Sequence, residues 1–252
     1  MKRLALLMVM VLSMISISSF AQRRELKTES NGFQWYEDVT SNGDRSASDV
    51  NGNVLIPFSR GYDFLCFHPR EKTTGYFTVR SKGKSGACDV TGKEIIPPIY
   101  NNVVFFEREM IGGYYGIELN GKKGACDIEG NVVIEPKYDN VVFHIKETDI
   151  VGYYSVELDG KKGACDMKGH EVIPPKKYDK LYFISRNNAV GYYSVYKNGL
   201  QGACDITGKE IVHCKYKTLI YSSYSDCFSY KDDTGNWVNL KIRLDKDGLL
   251  IK

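Results

Sequence analysis

Apolar and polar residues alternate in short runs through most of this chain. In one run Tyr154, Val156 and Leu158 fall on one side of an extended segment, while Tyr153, Ser155 and Glu157 fall on the other. An earlier run has the same form, with Tyr115, Ile117 and Leu119 set against Tyr114, Gly116 and Glu118. A period of two marks a β-strand, because successive side chains leave a strand in opposite directions. The breaks between runs hold Gly, Pro, Asn and Asp. One unit therefore reads as strands over 152–158, 161–166 and 170–174, followed by a short strand near 180–185. No apolar pattern with the period of a helix runs for a useful length beyond residue 21. The predicted class is all-β.

The unit recurs. Asp-x-x-Gly stands at Asp49/Gly52, Asp89/Gly92, Asp127/Gly130, Asp166/Gly169, Asp205/Gly208 and Asp245/Gly248, with successive aspartates 40, 38, 39, 39 and 40 residues apart. A step that regular is the signature of a repeat architecture. Paired aromatics precede the anchor at Tyr76-Phe77, Tyr114-Tyr115, Tyr153-Tyr154 and Tyr192-Tyr193. Ile95-Ile-Pro-Pro98, Val133-Ile-Glu-Pro136 and Val172-Ile-Pro-Pro175 follow it, and then Tyr100, Tyr138, Tyr178 and Tyr216.

Each feature has a physical reading. Asn42-Gly43, Asn120-Gly121, Asp159-Gly160 and Asn198-Gly199 suit two-residue hairpins of type I′, which need positive φ at both central positions. Asp49, Asp89, Asp127, Asp166, Asp205 and Asp245 suit the first position of a second tight turn, where a carboxylate bonds the backbone ahead of it and Gly closes the turn. Proline pairs donate nothing to a ladder, so they end a strand or mark an edge.

Set out this way, Gly-Lys-x-Gly-x-x-Asp-x-x-Gly-x-x-x-Ile-Pro-Pro-x-Tyr-Asp resembles the WG (or KWG) β-repeat family of bacterial proteins. Gly121-Lys122, Gly124, Asp127, Gly130, Pro136 and Tyr138-Asp139 carry the resemblance in one repeat. Gly160-Lys161, Gly163, Asp166, Gly169, Pro174-Pro175 and Tyr178-Asp179 carry it in the next. The tryptophan that names the family is absent from its slot, where Ser85, Lys123, Lys162 and Gln201 stand, and Ala-Cys fills the two apolar positions after the motif glycine. The resemblance implies all-β repeats, often in exported bacterial proteins, with no assigned enzymatic activity.

The ends differ from the middle. Lys2, Arg3, the apolar run Leu4 to Ile17 and Ser19-Phe20-Ala21 read as a signal peptide over residues 1–21, with cleavage expected before Gln22. Residues 22–32 read as a polar lead-in without a strand pattern, and residues 33–252 as one domain of about six units, the last of them truncated. An open, twisted array is expected, with a closed β-propeller as the alternative, since the period approaches that of a four-stranded blade. Without Lys2 and Arg3, 32 of the 34 basic side chains remain against 31 acidic ones. That balance offers no basic stripe for nucleic acid. No transmembrane segment is expected beyond the leader.

Candidate chemistry is sparse. Cys88, Cys126, Cys165 and Cys204 recur once per unit and read as small buried hydrophobes. The remaining thiols leave a Cys214–Cys227 bridge open. Zinc sites want paired ligands and calcium wants converging oxygens, neither of which this spacing supplies, so no metal and no cofactor is expected. His68, His144, His170 and His213 read as unrelated to one another. No nucleophile elbow or phosphate loop is present, and a non-catalytic protein is expected. One feature suggests binding: Tyr76, Tyr114, Tyr153 and Tyr192 lie opposite the inferred core face, above the small Thr78, Gly116, Ser155 and Ser194. Stacked units would align them into an aromatic column able to hold a sugar or a peptide, unless both faces are buried and the tyrosines are core. The expected role is an exported binding or scaffolding surface for a protein or polysaccharide, with a glycan-binding module built on that column as the alternative and, third, an enzyme without a recognisable motif.

Overall fold

The computed structural model describes residues 21–70, 75–107, 113–145 and 152–251. The expected leader lies, except for Ala21, outside the described residues. The chain forms six antiparallel sheets in tandem, and none closes into a barrel. The first runs β1 (Ala21–Thr28), β2 (Gln34–Thr40), β3 (Arg45–Asp49) and β4 (Val54–Ile56). The second holds β5 (Phe64–His68), β6 (Tyr76–Ser81), β7 (Lys84–Asp89) and β8 (Glu94–Tyr100). The third holds β9 (Asn102–Phe106), β10 (Tyr114–Leu119), β11 (Lys122–Cys126) and β12 (Val132–Tyr138). The fourth holds β13 (Asn140–His144), β14 (Tyr153–Leu158), β15 (Lys161–Cys165) and β16 (Glu171–Tyr178). The fifth holds β17 (Lys180–Arg186), β18 (Ala189–Lys197), β19 (Leu200–Cys204) and β20 (Glu210–Tyr216). The sixth has three strands, β21 (Leu219–Ser222), β22 (Cys227–Lys231) and β23 (Trp237–Asn239). By compactness one unit runs to Val104 and includes Ile117–Leu119, and the other holds Phe105–Gly116 and Asn120–Lys252.

Two expectations about the frame need correction. The strand near 180–185 does not complete the sheet that begins at residue 152. It is β17 and pairs with β18, Leu181 opposite Val195, so it opens the next sheet. The structural unit thus starts at Asn140 and ends at Tyr178. The polar lead-in is also a strand: β1 pairs with β2 from Thr28/Gln34 to Arg23/Val39. Apolar content does not recruit it. Glu37 on β2 is buried, with Arg45 on its side chain and Arg23 and Lys27 within ion-pair distance, and Arg24 lies 4.4 Å from the centre of the Tyr36 ring. A buried carboxylate is costly without partners, and β1 supplies two of them.

Both faces of the fourth and fifth sheets are packed, and the motif explains how. In the second unit, Tyr114, Ala125, Ile134 and Tyr138 of the third sheet pack on Phe143, Tyr154, Val156 and Cys165 of the fourth. One repeat on, Tyr153, Ala164, Ile173 and Tyr178 pack on Leu181, Tyr193, Val195 and Cys204. Tyr192, Ala203 and Val212 then pack on Leu219, Phe228 and Leu244. In the first unit Trp35, Ala47 and Ile56 meet Tyr62, Leu65, Phe67, Phe77 and Cys88 in the same manner. Ala and Cys are neighbours on one strand, so they enter opposite layers, and both are fully buried. Their small size suits the close approach of successive sheets.

The turns carry the stack. Asn120, Asp159 and Asn198, each followed by Gly, have positive φ at both positions, as type I′ hairpins require. Asn42-Gly43 differs: only Gly43 has positive φ, and its N–H donates to the Thr40 carbonyl. Each Asp-x-x-Gly turn is closed by its own carboxylate; the Asp166 Oδ1, for example, accepts the N–H groups of Lys168 and His170 at 2.8 and 2.9 Å. A seventh turn of this type stands at Asp232–Gly235, unmarked by the period. The turn glycine has a second constraint: a Cβ at Gly169 would stand 1.9 Å from the Val133 carbonyl oxygen, and one at Gly208 would stand 2.0 Å from that of Val172. Turn and preceding sheet therefore touch backbone to backbone. The proline segments lie on the outermost strand, where the register jumps between Lys162/Tyr178 and Ala164/Ile173. This bulge presses on Gly163, whose Cβ would lie 2.4 Å from the Ile173 carbonyl oxygen.

Candidate functional site

The four tyrosines of the expected column are buried, at 6, 3, 7 and 3 % exposure for Tyr76, Tyr114, Tyr153 and Tyr192. Tyr114, Tyr153 and Tyr192 form the inner side of the layers between sheets rather than an open face, because the next sheet packs on them. Neighbours on the first strand of their own sheet also cover them. The His68 ring stacks on Tyr76 with centroids 4.8 Å apart, Phe106 stacks on Tyr114 at 5.0 Å, and His144 stacks on Tyr153 at 4.8 Å. His68 and His144 therefore share a repeat position, contrary to the sequence reading. Each bonds the hydroxyl two residues beyond its tyrosine, His68 Nε2 to Thr78 at 2.9 Å and His144 Nε2 to Ser155 at 2.8 Å. Their separation of 76 residues is two periods, with Phe106 midway, and that was the overlooked signal.

Polar groups between successive sheets form a recurring clasp. The Tyr138 hydroxyl donates to Glu171 at 2.6 Å and lies 3.8 Å from the Cys165 sulfur, and Lys137 donates to the same carboxylate. One repeat on, Tyr178 donates to Glu210 at 2.5 Å and lies 3.5 Å from Cys204, again with Lys177 on the carboxylate. Tyr62, Glu94, Cys88 and Arg60 repeat the set in the first unit. Burial would raise the Glu210 carboxyl, but hydrogen bonds from Lys177, Tyr178 and His213 outweigh it and hold the group near about 2. Burial pushes the thiols of Cys88, Cys165 and Cys204 up to about 11 and that of Cys126 to about 12. These environments oppose thiolate formation, which a nucleophilic or metal-ligating cysteine needs. All seven cysteines are free thiols: Cys214 Sγ faces the Val195 carbonyl at 3.6 Å and Cys227 Sγ faces Ser225 at 3.4 Å. Among the described residues no group of three or more His, Cys, Asp or Glu side chains could hold a metal ion, and no helix is long and apolar enough to cross a membrane.

One cleft, of about 580 Å3, opens between the fifth and sixth sheets. Tyr192 is the one member of the tyrosine set that lines it. Ile184 stands where the other sheets place His or Phe over the tyrosine, paired with Tyr192 across β17 and β18. Here β17 and β18 turn back within residues 187–188, and the segment 244–248 packs beside this turn. Val190 N–H donates to the Lys246 carbonyl at 2.8 Å, and a Cβ on Gly248 would lie 2.8 Å from the Gly191 carbonyl oxygen. Arg186 binds this segment down, donating through Nε to Val190 O at 2.9 Å, through one terminal nitrogen to Leu244 O at 3.2 Å and through the other to Asp245 O. Its guanidinium lies 4.8 Å from the centre of the Tyr221 ring. The Tyr221 hydroxyl donates to Asp226 Oδ1 at 2.8 Å, and Arg243 holds that carboxylate from the other side, lowering its pKa through this hydrogen bond and then through that of Tyr221.

None of Arg186, Tyr221, Asp226 and Lys246 was singled out from the sequence. The signal was there in the aromatic series Phe67, Phe105, Phe143 and Phe183, which ends in Tyr221. A hydroxyl added at a core position needs a partner, and Asp226 supplies it.

Comparison with known proteins gives a family and no more. Residues 86–122, 124–161 and 163–200 match the model of the WG containing repeat as three tandem copies. No curated protein matches the chain. Among solved structures, BBS1N in complex with ARL6DN, from crystals soaked with lead and with mercury, aligns over 92 % of this chain and 86 % of its own, with 9 % identity and TM-scores of 0.30 and 0.29. A structure described as a gluconolactonase aligns over 89 % of this chain and 94 % of its own, with 13 % identity and a TM-score of 0.24. Likenesses of that size assign neither fold nor function.

Proposed function

We propose that this WG-repeat chain is an exported, non-catalytic binding protein whose stacked sheets act as a scaffold and whose partner engages the cleft between the fifth and sixth sheets. The observation that carries this reading is the state of the ionisable groups. The repeated thiols and the Tyr62, Tyr138 and Tyr178 hydroxyls are pushed away from ionisation, and Glu171 and Glu210 are held ionised by structural hydrogen bonds. Nucleophiles and general bases are poised the other way, near the working pH. A cleft of about 580 Å3 falls within the range of ligand pockets. Export rests on the leader read from residues 1–21. The test is affinity capture from a bacterial envelope extract with the tagged chain, using Ile184→Asp as the paired control. A protein or glycan enriched by the wild type and lost in the variant supports the reading. Capture that the variant leaves unchanged removes the cleft from it, and turnover of any extract component abolished by one point change would replace it with an enzyme.

A further inference from the structure

We infer that the cleft between the fifth and sixth sheets is a carboxylate-binding site for a ligand with an apolar body; this deepens the binding role proposed above and rests on it. The charges are unequal in kind. Asp226 is paired with Arg243, and Asp245 spends its Oδ1 on the N–H groups of Asp247 and Leu249 in its own turn. The two cations have no such close partner: among the described residues no carboxylate lies within ion-pair distance of Arg186 or Lys246, and Arg186 acts on Asp226 only from farther off, helping to keep it ionised. Arg186 is half-buried and bonded to three neutral carbonyls, which orient a guanidinium without cancelling its charge. Three of its five N–H groups are used, so two remain for an incoming acceptor. A partly buried cation is costly without a counter-ion, and a bound carboxylate would supply one through charge-assisted bonds. Lys246, exposed on the adjoining turn, would add a second charge at the rim.

Part of the wall is apolar. Ile184, Ala189, Tyr192, Leu244 and Ile251 line it beside the polar Ser185, Asn187 and Ser223, and Ile184 and Ile251 are 39 and 46 % exposed. A ligand that is all charge would leave these side chains wet, whereas an aliphatic body beside the carboxylate would cover them. The chemistry fits the C-terminal carboxylate of a polypeptide ending in an aliphatic residue, or a small free aliphatic acid.

Isothermal titration calorimetry on the full chain separates these sources. The probes are an acetylated tetrapeptide ending in leucine with a free carboxylate, the same peptide as its C-terminal amide, and hexanoate. The free-acid peptide is expected to bind at least about tenfold more tightly than the amide. Hexanoate binding as well as the peptide would place the source among small acids, with the amide failing in the same way. Lys246→Glu is expected to weaken the acid about fivefold and leave the amide unchanged. Among the described residues none accepts a hydrogen bond from the Lys246 side chain, so this variant keeps the fold where Arg186→Gln would also release the segment around Leu244 and Asp245. Equal binding of acid and amide, or no heat from either peptide or hexanoate, overturns the inference. If the capture experiment still enriches a partner in that case, the binding role stands and only the ligand class falls.

Discussion

The gap between the fourth and fifth sheets and the gap between the fifth and sixth are built from the same repeat positions and both hold a buried core, yet only the second opens into a cleft along one side. In the first Tyr153 is covered by His144 on its own sheet and meets Phe183 and Tyr193 of the next at 5.6 and 5.7 Å. In the second Tyr192 meets Tyr221 and Phe228 at 6.2 and 5.0 Å, with Ile184 in the histidine position. The turn that should clamp the outer strand is displaced as well. Gly208 sits on the Val172 carbonyl of β16, while Gly248 sits on Gly191 of β18. In this chain, then, the repeat provides packing, and a departure from it provides a place to bind.

Substitutions on the two sides of this contrast should differ most in stability. Tyr153→Ala empties a sealed layer and is expected to cost about 3–5 kcal/mol by urea denaturation. Ile184→Ala, at the open wall, is expected to cost less than about 1 kcal/mol. Comparable losses would mean that the cleft is as tightly packed as the core. The turn glycines give a second pair. Gly208→Ala combines a left-handed backbone, costing about 1–2 kcal/mol, with a clash against Val172 worth about 1–3 kcal/mol. Gly235 has the same positive φ with no neighbour near its Cβ position, so Gly235→Ala should show only the first cost.

Much of the architecture was legible in the sequence, since the period, the alternation and the turn residues each act within a few residues. Three things were not. The sheet boundary was misplaced because the strand near 180–185 follows the motif in sequence but pairs forward, and pairing is a long-range fact. Strand β1 was missed because charge around Glu37 recruits it, where only apolar alternation was sought. The buried state of Tyr153 and its equivalents could not be read from alternation, which separates two faces without saying whether one of them meets water. Cys214 and Cys227 illustrate the same limit: sequence separation said nothing of the different partners that each sulfur faces.

The clasps should show a smaller, pH-dependent effect. Glu210 lies near about 2 in the folded chain against an ordinary 4.5, so the folded state binds fewer protons between those values. Its contribution to stability is complete above pH 4.5 and is lost as pH falls toward 2. Tyr178→Phe removes one donor, so it should cost about 1 kcal/mol at neutral pH and flatten the fall in urea midpoint on acidification from pH 5 to pH 3. An unchanged acid limb would mean that the clasp does not hold that carboxylate.

The difference between the two gaps is tested most directly by methyl-resolved NMR of the full chain with a soluble, neutral paramagnetic gadolinium chelate. The account predicts strong relaxation enhancement at the Ile184, Ala189 and Ile251 methyls and little at Ile173, Leu181 and Val195. Protection of the first set to the level of the second would show that the gap between the fifth and sixth sheets is closed in solution, and would contradict the account.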